Sequence, residues 1–235
     1  MPHTSRLPVP RPPFDTLPWA PLVIVRVDDA LVVIDKPAGL LSVPGRGADK
    51  ADCAATRVQA QFADARVVHR LDMATSGLLL MARGAEMQRA LSIGFQEREM
   101  SKHYEAIVSG LVQYDIGEID LPLLADWPQR PRQKVDRLLG KPSLTRYRVL
   151  HRDPVAGTTR LELHPITGRT HQLRVHLQAL GHPIVGDALY APPDDVGPPM
   201  SDQLTPSRLM LHATVLQLRH PTTGLPLTLS SLAPF

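Results

Sequence analysis

Residues 67–81 read VVHRLDMATSGLLLM, and this stretch decides the fold. Residues 78–81 form a continuous apolar run of strand length, which predicts a central strand of a sheet. The polar residues before it connect this strand to a short predicted strand at 67–68, and side chains in such loops can face a cleft. Asp72 is therefore a candidate nucleophile or base, if it is held ionised. From spacing alone, a turn cap or a pair with Arg70 is the more frequent role.

Outward from this stretch, apolar alternation predicts strands at 22–25, 31–34, 104–108, 145–150, 159–164, 209–218 and 225–229. Helical periodicity predicts helices at 51–62, 86–99 and 170–180. Proline-rich segments at 121–143 and 192–206 are expected to be surface loops. Many strands with few helices indicate an α+β fold, with a mixed, largely antiparallel sheet and flanking helices and loops.

A second polar segment, residues 166–176, reads ITGRTHQLRVH. On the predicted helix, Leu173, Leu177 and Leu180 form an apolar stripe, and Gly181 stands where a C-terminal cap belongs. Arg174 emerges beside this stripe, where it could be partly buried. A partly buried arginine usually has a carboxylate partner, but spacing does not identify one. An exposed arginine on a solvated helix face is the more frequent case.

The chain carries a net charge of +3 with a pI of about 9.2, which permits a polyanionic partner without requiring one. A segment with one acid, Asp136, holds five basic residues: Arg130, Arg132, Lys134, Arg137 and Lys141. Two further basic sets are Arg66, Arg70 and Arg83, and Arg160, Arg169 and Arg174. Clustered cations release counterions when they meet phosphates, which predicts salt-dependent binding of nucleic acid. A solvated surface loop is an equally good interpretation of the first cluster.

Length and composition restrict the remaining possibilities. The 235 residues suit a proline-rich flexible tail at 1–18 followed by one folded domain at 19–235. No apolar run is long enough for a membrane span, so we expect no membrane partner. Cys53 is the single cysteine, which indicates a reducing, cytoplasmic setting. His171 and His176 do not share a helical face, and no glycine-rich phosphate loop occurs, so we expect neither metal nor cofactor.

Three motifs in order resemble the RluA family of pseudouridine synthases. They are HRLDMATSG at 69–77, SKHYEA at 101–106 and GRTHQLRVH at 168–176, and the resemblance runs from about residue 19 to 235. Residues 36–46 (KPAGLLSVPGR) and 126–131 (DWPQRP) are similar to small members that modify both large-subunit ribosomal RNA and transfer RNA. Larger members carry an extra N-terminal RNA-binding domain, which we do not expect here.

The resemblance implies the pseudouridine synthase catalytic fold and isomerisation of chosen uridines in ribosomal RNA, in transfer RNA anticodon stem-loops, or in both. Asp72 corresponds to the catalytic aspartate, Tyr104 to the tyrosine that stacks on the target base, and Arg174 to the arginine paired with the aspartate. Arg70 corresponds to a residue that fills the gap left by a flipped base. The expected RNA-binding residues are Arg70, Arg130, Arg132, Lys134, Arg169 and His171.

Two other functions remain open. A non-catalytic RNA-binding or ribosome-assembly protein could use the same fold, although intact Asp72, Tyr104 and Arg174 argue against it. A carboxylate-based glycoside hydrolase would also act at an anomeric carbon, but that chemistry usually needs two paired carboxylates. Only Asp72 stands in a motif. We expect RNA as the partner and a monomeric protein.

Overall fold

The computed structural model describes residues 22–47, 50–192 and 208–235. The predicted tail at 1–18 and nearly all of the predicted loop at 192–206 lie outside the described residues. Twelve strands occur in the described part: β1 Val23–Val27, β2 Leu31–Lys36, β3 Ala65–Val67, β4 Ser76–Arg83, β5 Ser101–Ser109, β6 Ile116–Asp120, β7 Leu123–Ala125, β8 Gln133–Val135, β9 Leu144–Asp153, β10 Thr158–Pro165, β11 Leu211–Arg219 and β12 Pro226–Ser230.

Ten of the described strands form one large mixed sheet, as predicted. Its order is β1-β2-β4-β11-β5-β10-β9-β6, with β12 paired to β11 and β3 paired to β4. Only the short β4–β11 ladder is parallel among the described pairs. This ladder brings Gly77 against Ala213 so closely that a side-chain Cβ at Gly77 would lie 2.4 Å from the Ala213 carbonyl oxygen. The end of the polar segment before β4 is thereby fixed against β11.

Strand β4 explains why residues 67–81 determine the architecture. Leu78 and Leu80 pack into one apolar cluster, and Leu79 and Met81 pack into another on the opposite face of the sheet. All four side chains are at most 3% exposed. A strand covered on both faces has no polar positions to alternate with, which is why its sequence is a continuous apolar run.

Three helices cover the sheet: α1 Ala54–Gln61, α2 Gly84–Gln96 and α3 Gln172–Ala179. None of the described helices has the length and hydropathy to cross a bilayer. The predicted third helix begins two residues too early, because His171 adopts a left-handed backbone conformation (φ 54°) immediately before α3. At the other end, Gly181 has φ 88°, in agreement with the predicted cap. Leu173 and Leu177 are buried, but Leu180 is 37% exposed and lies outside the packed stripe.

The segment at 121–143 is not a plain loop, and that prediction was wrong. Strands β7 and β8 pair as a small antiparallel sheet, with a 3-10 turn at Trp127–Gln129 between them. Each strand has three residues, too few to show alternation, and prolines separate them. We call residues 123–141 the basic arm. Near the end of the arm the backbone of Gly140 passes so close to Asp136 that a Cβ at Gly140 would lie 2.2 Å from the Asp136 carbonyl oxygen.

Candidate active site

A cleft of about 950 Å³ opens beside the sheet, between the loop that carries Asp72, strand β5 and the start of α3. Asp72, Tyr104 and Arg174 all line it, so the structure brings the three predicted catalytic residues together. Asp72 is the one carboxylate among the described lining residues. The lining lysine and arginine side chains are Arg70, Arg98, Lys102, Arg169 and Arg174. Such an excess of cations suits a polyanionic ligand.

The loop that carries Asp72 is held in place by hydrogen bonds from the end of β2 and the segment that follows it. The Ser42 hydroxyl donates to the Leu71 carbonyl (2.7 Å) and accepts from the Leu71 amide (3.1 Å). The fully buried Lys36 donates from Nζ to three carbonyls, including that of Met73 at 3.2 Å. The carbonyl of Met73 also accepts from the Gly39 amide at 2.8 Å. Both neighbours of Asp72 are therefore anchored, while its own side chain stays 27% exposed at the cleft.

Arg174 joins two carboxylates. It donates from Nε and Nη2 to the two oxygens of Asp187, at 2.7 and 2.6 Å, and from Nη1 to Asp72 Oδ2 at 3.5 Å. Burial alone would lower the pKa of Arg174, but its hydrogen bonds and charge interactions with Asp187 and Asp72 raise it. The guanidinium thus stays charged beside Asp72. The predicted proximity of Asp72 and Arg174 is observed, although Asp187 is the closer partner.

Asp187 was missed by the sequence reasoning, and it is the most buried acid of the site, with 1% exposure. Besides binding Arg174 in bidentate fashion, it accepts hydrogen bonds from the amides of Leu189 and Tyr190, at 2.9 and 3.2 Å. These partners compensate the cost of burying the charge. Asp187 lies in a turn outside the described strands and helices. No periodic pattern of apolar residues therefore marks it as buried or as a partner of Arg174.

Tyr104 lies on β5 and is 9% exposed. Lys102 precedes it by two residues, so both side chains point to the cleft face of the strand. Burial, together with the nearby charge of Asp72, raises the pKa of Tyr104 above its ordinary value. The phenol is therefore protonated at neutral pH and offers an aromatic face to the cleft beside the Asp72 carboxylate.

His171 and Tyr190 connect the cleft to the basic arm. His171 Nε2 lies 3.9 Å from Asp72 Oδ2, and its Nδ1 lies 2.7 Å from the Tyr190 hydroxyl. The same hydroxyl accepts from the backbone amide of Gln133 in β8 at 2.8 Å. The guanidinium groups of Arg132 and Arg174 lie 5.3 and 5.0 Å from the centre of the Tyr190 ring. The arm thus contacts Tyr190, which in turn bonds to the cleft residue His171.

The other predicted RNA-binding residues divide between these two places. Arg70 and Arg169 line the cleft, whereas Arg130, Arg132 and Lys134 do not. In the arm, Arg130 lies 4.0 Å over the ring of the exposed Trp127, and Lys134 is 4.0 Å from Asp136. Arg98 and Lys102 were not predicted as binding residues. Lys102 was visible only as part of the tyrosine motif, and burial lowers its pKa.

Two histidines of the motifs are structural. His176 is fully buried and bonds through its two ring nitrogens to the Thr145 hydroxyl and the Leu121 carbonyl. His69 accepts from the Leu80 amide at 2.9 Å and lies against Phe95. In the described part of the chain, no three histidine, cysteine, aspartate or glutamate side chains are grouped as metal ligands would be.

Known proteins share this arrangement of sequence and fold. The family model for RNA pseudouridylate synthase matches residues 30–179. The dual-specificity RNA pseudouridine synthase RluA of Pasteurella multocida is 52% identical over 86% of this chain and 89% of its own length. Its Escherichia coli K12 namesake is 47% identical, over 93% and 95%. The solved structure of human RNA pseudouridylate synthase domain containing 1 superposes with a TM-score of 0.73 at 30% identity, over 91% of this chain and 84% of that one.

Proposed function

Because this chain belongs to the RNA pseudouridylate synthase family, we propose that it isomerises uridines in two RNA classes, large-subunit ribosomal RNA and the anticodon stem-loop of transfer RNA. The relatives that it matches nearly end to end are dual-specificity RNA pseudouridine synthases. The observation that carries the proposal is the cleft in which the anchored carboxylate of Asp72 faces Tyr104 and Arg174 among cationic side chains. Ribosomal and transfer RNA are the partners, and the protein acts as a monomer in the cytoplasm.

The reaction breaks the bond between C1′ and N1 of uridine and joins C1′ to C5, after which C5 loses its proton and N1 gains one. These atoms lie within the base stack of a folded RNA, so the target nucleotide must rotate out of it. Arg70, exposed at the cleft, would fill the space that the base leaves. The Tyr104 ring would stack on the extruded uracil, as aromatic side chains do in readers of single-stranded RNA.

Asp72 acts on the extruded nucleotide at C1′ or at C6, and either role requires the ionised carboxylate. Arg174 places its positive charge 3.5 Å from Asp72 Oδ2. Asp187 keeps the guanidinium in place by holding two of its nitrogens. Neither role of Asp72 consumes a redox or nucleotide cofactor, because the reaction only exchanges one bond at C1′ for another and moves a proton.

The remaining cations suit the RNA backbone. Arg98, Lys102 and Arg169 line the cleft, and Arg130, Arg132 and Lys134 extend the positive surface onto the arm. Contacts with phosphates set affinity and register without reading sequence. The arm therefore positions a stem-loop, and the cleft selects the nucleotide that can be extruded into it.

The two alternative functions fit the cleft less well. A glycoside hydrolase needs a second free carboxylate, yet Asp187 is buried and engaged by Arg174. A non-catalytic RNA-binding protein would have no need for an aspartate held beside an arginine and a buried tyrosine, because a carboxylate in the cleft reduces its positive charge and so its attraction for RNA. Family membership disfavours the second alternative as well.

Release of tritium from RNA labelled at C5 of uridine tests the proposal. Two transcripts are compared, a transfer RNA anticodon stem-loop and a stem-loop from large-subunit ribosomal RNA, each with a scrambled-loop control. We expect label to be released from both natural loops and from neither control. Release from one class alone would contradict dual specificity, and binding without release from any natural RNA would favour the non-catalytic alternative.

A further inference from the structure

Tyr190 is a buried tyrosine, 2% exposed, whose hydroxyl has two close neighbours. One is the backbone amide of Gln133, 2.8 Å away, which can only donate. The other is Nδ1 of His171, 2.7 Å away. The hydroxyl therefore accepts from the arm and has one proton of its own to place.

The proton of Tyr190 has one acceptor among the described residues, His171 Nδ1. If Nδ1 itself carried a proton, the hydroxyl would accept twice and its own proton would be buried without a partner, which is unfavourable. We therefore assign the hydroxyl as donor and Nδ1 as acceptor. Burial lowers the pKa of His171, and Arg174 lowers it further, against the attraction of Asp72 and Asp187. A neutral ring with Nδ1 as acceptor carries its proton on Nε2.

The Nε2 proton of His171 faces the catalytic cleft. Nε2 lies 3.9 Å from Asp72 Oδ2, the same oxygen that Arg174 approaches. This separation is longer than a hydrogen bond, but hydrogen bonds at catalytic groups often tighten, to about 2.6–3.2 Å, when substrate binds. A small movement of the Asp72 loop or of the ring would complete the contact.

We propose that His171 and Tyr190 are positioning residues that connect the basic arm to the catalytic carboxylate through one directed chain of donors: Gln133 amide to Tyr190 hydroxyl, Tyr190 hydroxyl to His171 Nδ1, and His171 Nε2 to Asp72. The proposal rests on the proposed catalytic role of Asp72. It goes beyond that role, because it makes the orientation of Asp72 depend on how the arm is seated.

The arm is suited to this coupling because two of its cations, Arg132 and Lys134, are the chain neighbours of Gln133, which links the arm to Tyr190. Gln133 lies in β8 between Arg132 and Lys134, and the Arg132 guanidinium lies 5.3 Å from the Tyr190 ring centre. A phosphate that draws Arg132 or Lys134 also displaces the backbone that anchors Tyr190. Binding of RNA to the arm thereby changes the orientation of Asp72, so turnover depends on how the RNA docks as well as on its affinity.

Nitrogen NMR of the histidine rings tests the proton assignment directly. The spectrum of the protein labelled with ¹⁵N at histidine is assigned for His171 by comparison with His171→Gln. We expect a neutral ring protonated at Nε2, with Nδ1 shifted by hydrogen bonding, and loss of that shift in Tyr190→Phe. A ring protonated at Nδ1, or a spectrum unchanged in Tyr190→Phe, would overturn the proposed chain of donors from Gln133 to Asp72, which we call the relay.

A double-mutant cycle tests the effect of this hydrogen-bond chain on catalysis. Tyr190→Phe keeps the aromatic ring and removes only the hydroxyl, so we expect kcat at saturating RNA to fall about threefold to tenfold, the effect of one hydrogen bond, with KM little changed. In the His171→Ala background, Tyr190→Phe should have no further effect, because it acts through His171. His171→Gln, which can place an amide donor near the Nε2 position, should recover part of the activity lost in His171→Ala.

Tyr147→Phe is the matched control, because its hydroxyl has no hydrogen-bond partner among the described residues although the ring is buried. It should leave kcat unchanged. Independent effects of Tyr190→Phe and His171→Ala that simply multiply would overturn the relay. If Asp72→Asn retained turnover, the proposed function itself would fail. A dead Asp72→Asn with a multiplicative cycle would reject the relay alone.

Discussion

The proposed catalytic centre and the basic arm both depend on charged side chains, but the charges are buried in the first and exposed in the second. In the centre, Arg174 and Asp187 are at most 5% exposed and joined by two short hydrogen bonds, and Asp72 is held beside them. In the arm, Lys134 is about half exposed, and its nearest carboxylate, Asp136, is 4.0 Å away. Arg130 lies over the ring of Trp127, itself 67% exposed.

This difference indicates that the two regions have different roles. Buried charges with fixed partners hold a geometry, and removing one partner leaves the other uncompensated at high cost. Exposed charges contribute little to stability, but they are free to exchange water and counterions for phosphates. We therefore expect changes in the centre to affect folding and turnover, and changes in the arm to affect affinity and its salt dependence.

The largest effect on stability is expected from Asp187→Ala. It leaves the Arg174 guanidinium buried without its bidentate partner and removes the acceptor for two backbone amides. We expect the free energy of unfolding to fall by about 3–5 kcal/mol, measured by urea denaturation. Turnover should fall in parallel, because Arg174 is no longer held beside Asp72.

Glu118→Ala is the matched control for this change. It also removes the acid from an arginine–carboxylate pair, Arg146–Glu118 at 2.6 Å, but both side chains are more than half exposed. Its effect should stay below about 1 kcal/mol. Equal losses of stability in the two variants would remove the distinction between buried and exposed charge on which the comparison depends.

In the arm, replacement of Arg130, Arg132 and Lys134 together by alanine should weaken binding of different stem-loops alike. The slope of log affinity against log salt should flatten by roughly one unit for each phosphate that the variant no longer binds. Turnover at saturating RNA should persist, reduced only as far as Arg132 helps to seat Tyr190. Fluorescence titration at several salt concentrations measures the slope.

A second triple variant controls for net charge. Arg146, Arg148 and Arg152 on β9 are each paired with a carboxylate, Glu118, Glu162 and Asp115 respectively. Their replacement by alanine removes the same charge but should change the salt slope little. Matching titration curves for wild type and the arm variant would leave the arm without a role in RNA binding.

The last effect depends on pH and concerns Lys36, which is buried under the Asp72 loop. Burial lowers the pKa of Lys36 to about 7, against the attraction of Asp72. Between this value and the ordinary 10.5 of an exposed lysine, the unfolded chain binds a proton that the folded one has lost, so stability rises with pH. The slope contributed is at most about 1.4 kcal/mol per pH unit. Lys36→Met should lack it when unfolding is compared from pH 7 to 10.

The sequence predicted the sheet because its signals are local. The apolar run at Leu78–Met81 indicates a strand buried on both faces, and the leucine stripe beside Arg174 indicates a helix against the core. The proximity of Asp72, Tyr104 and Arg174, however, came from the family resemblance. No spacing brings together three residues from a loop, a strand and a helix far apart in the chain.

The features that sequence reasoning missed depend on contacts between distant segments. Asp187 acquires its role only when α3 packs against the turn after Ile184, and Tyr190 only when β8 donates an amide to it. Strands β7 and β8 are too short to show a period, and pairing with each other defines them. The left-handed conformation of His171 likewise could not be predicted, because glycine and asparagine are the residues that usually indicate it and neither occurs at this position.

The most direct test of the catalytic centre is release of C5 tritium by Asp72→Asn. This change keeps the size of the side chain and removes its charge, so thermal unfolding and RNA affinity should stay close to those of the wild type. We predict that turnover falls by more than about 10³-fold, as expected for loss of an essential catalytic group. Turnover within about tenfold of the wild type in the correctly folded variant would show that the reaction does not depend on the carboxylate of Asp72.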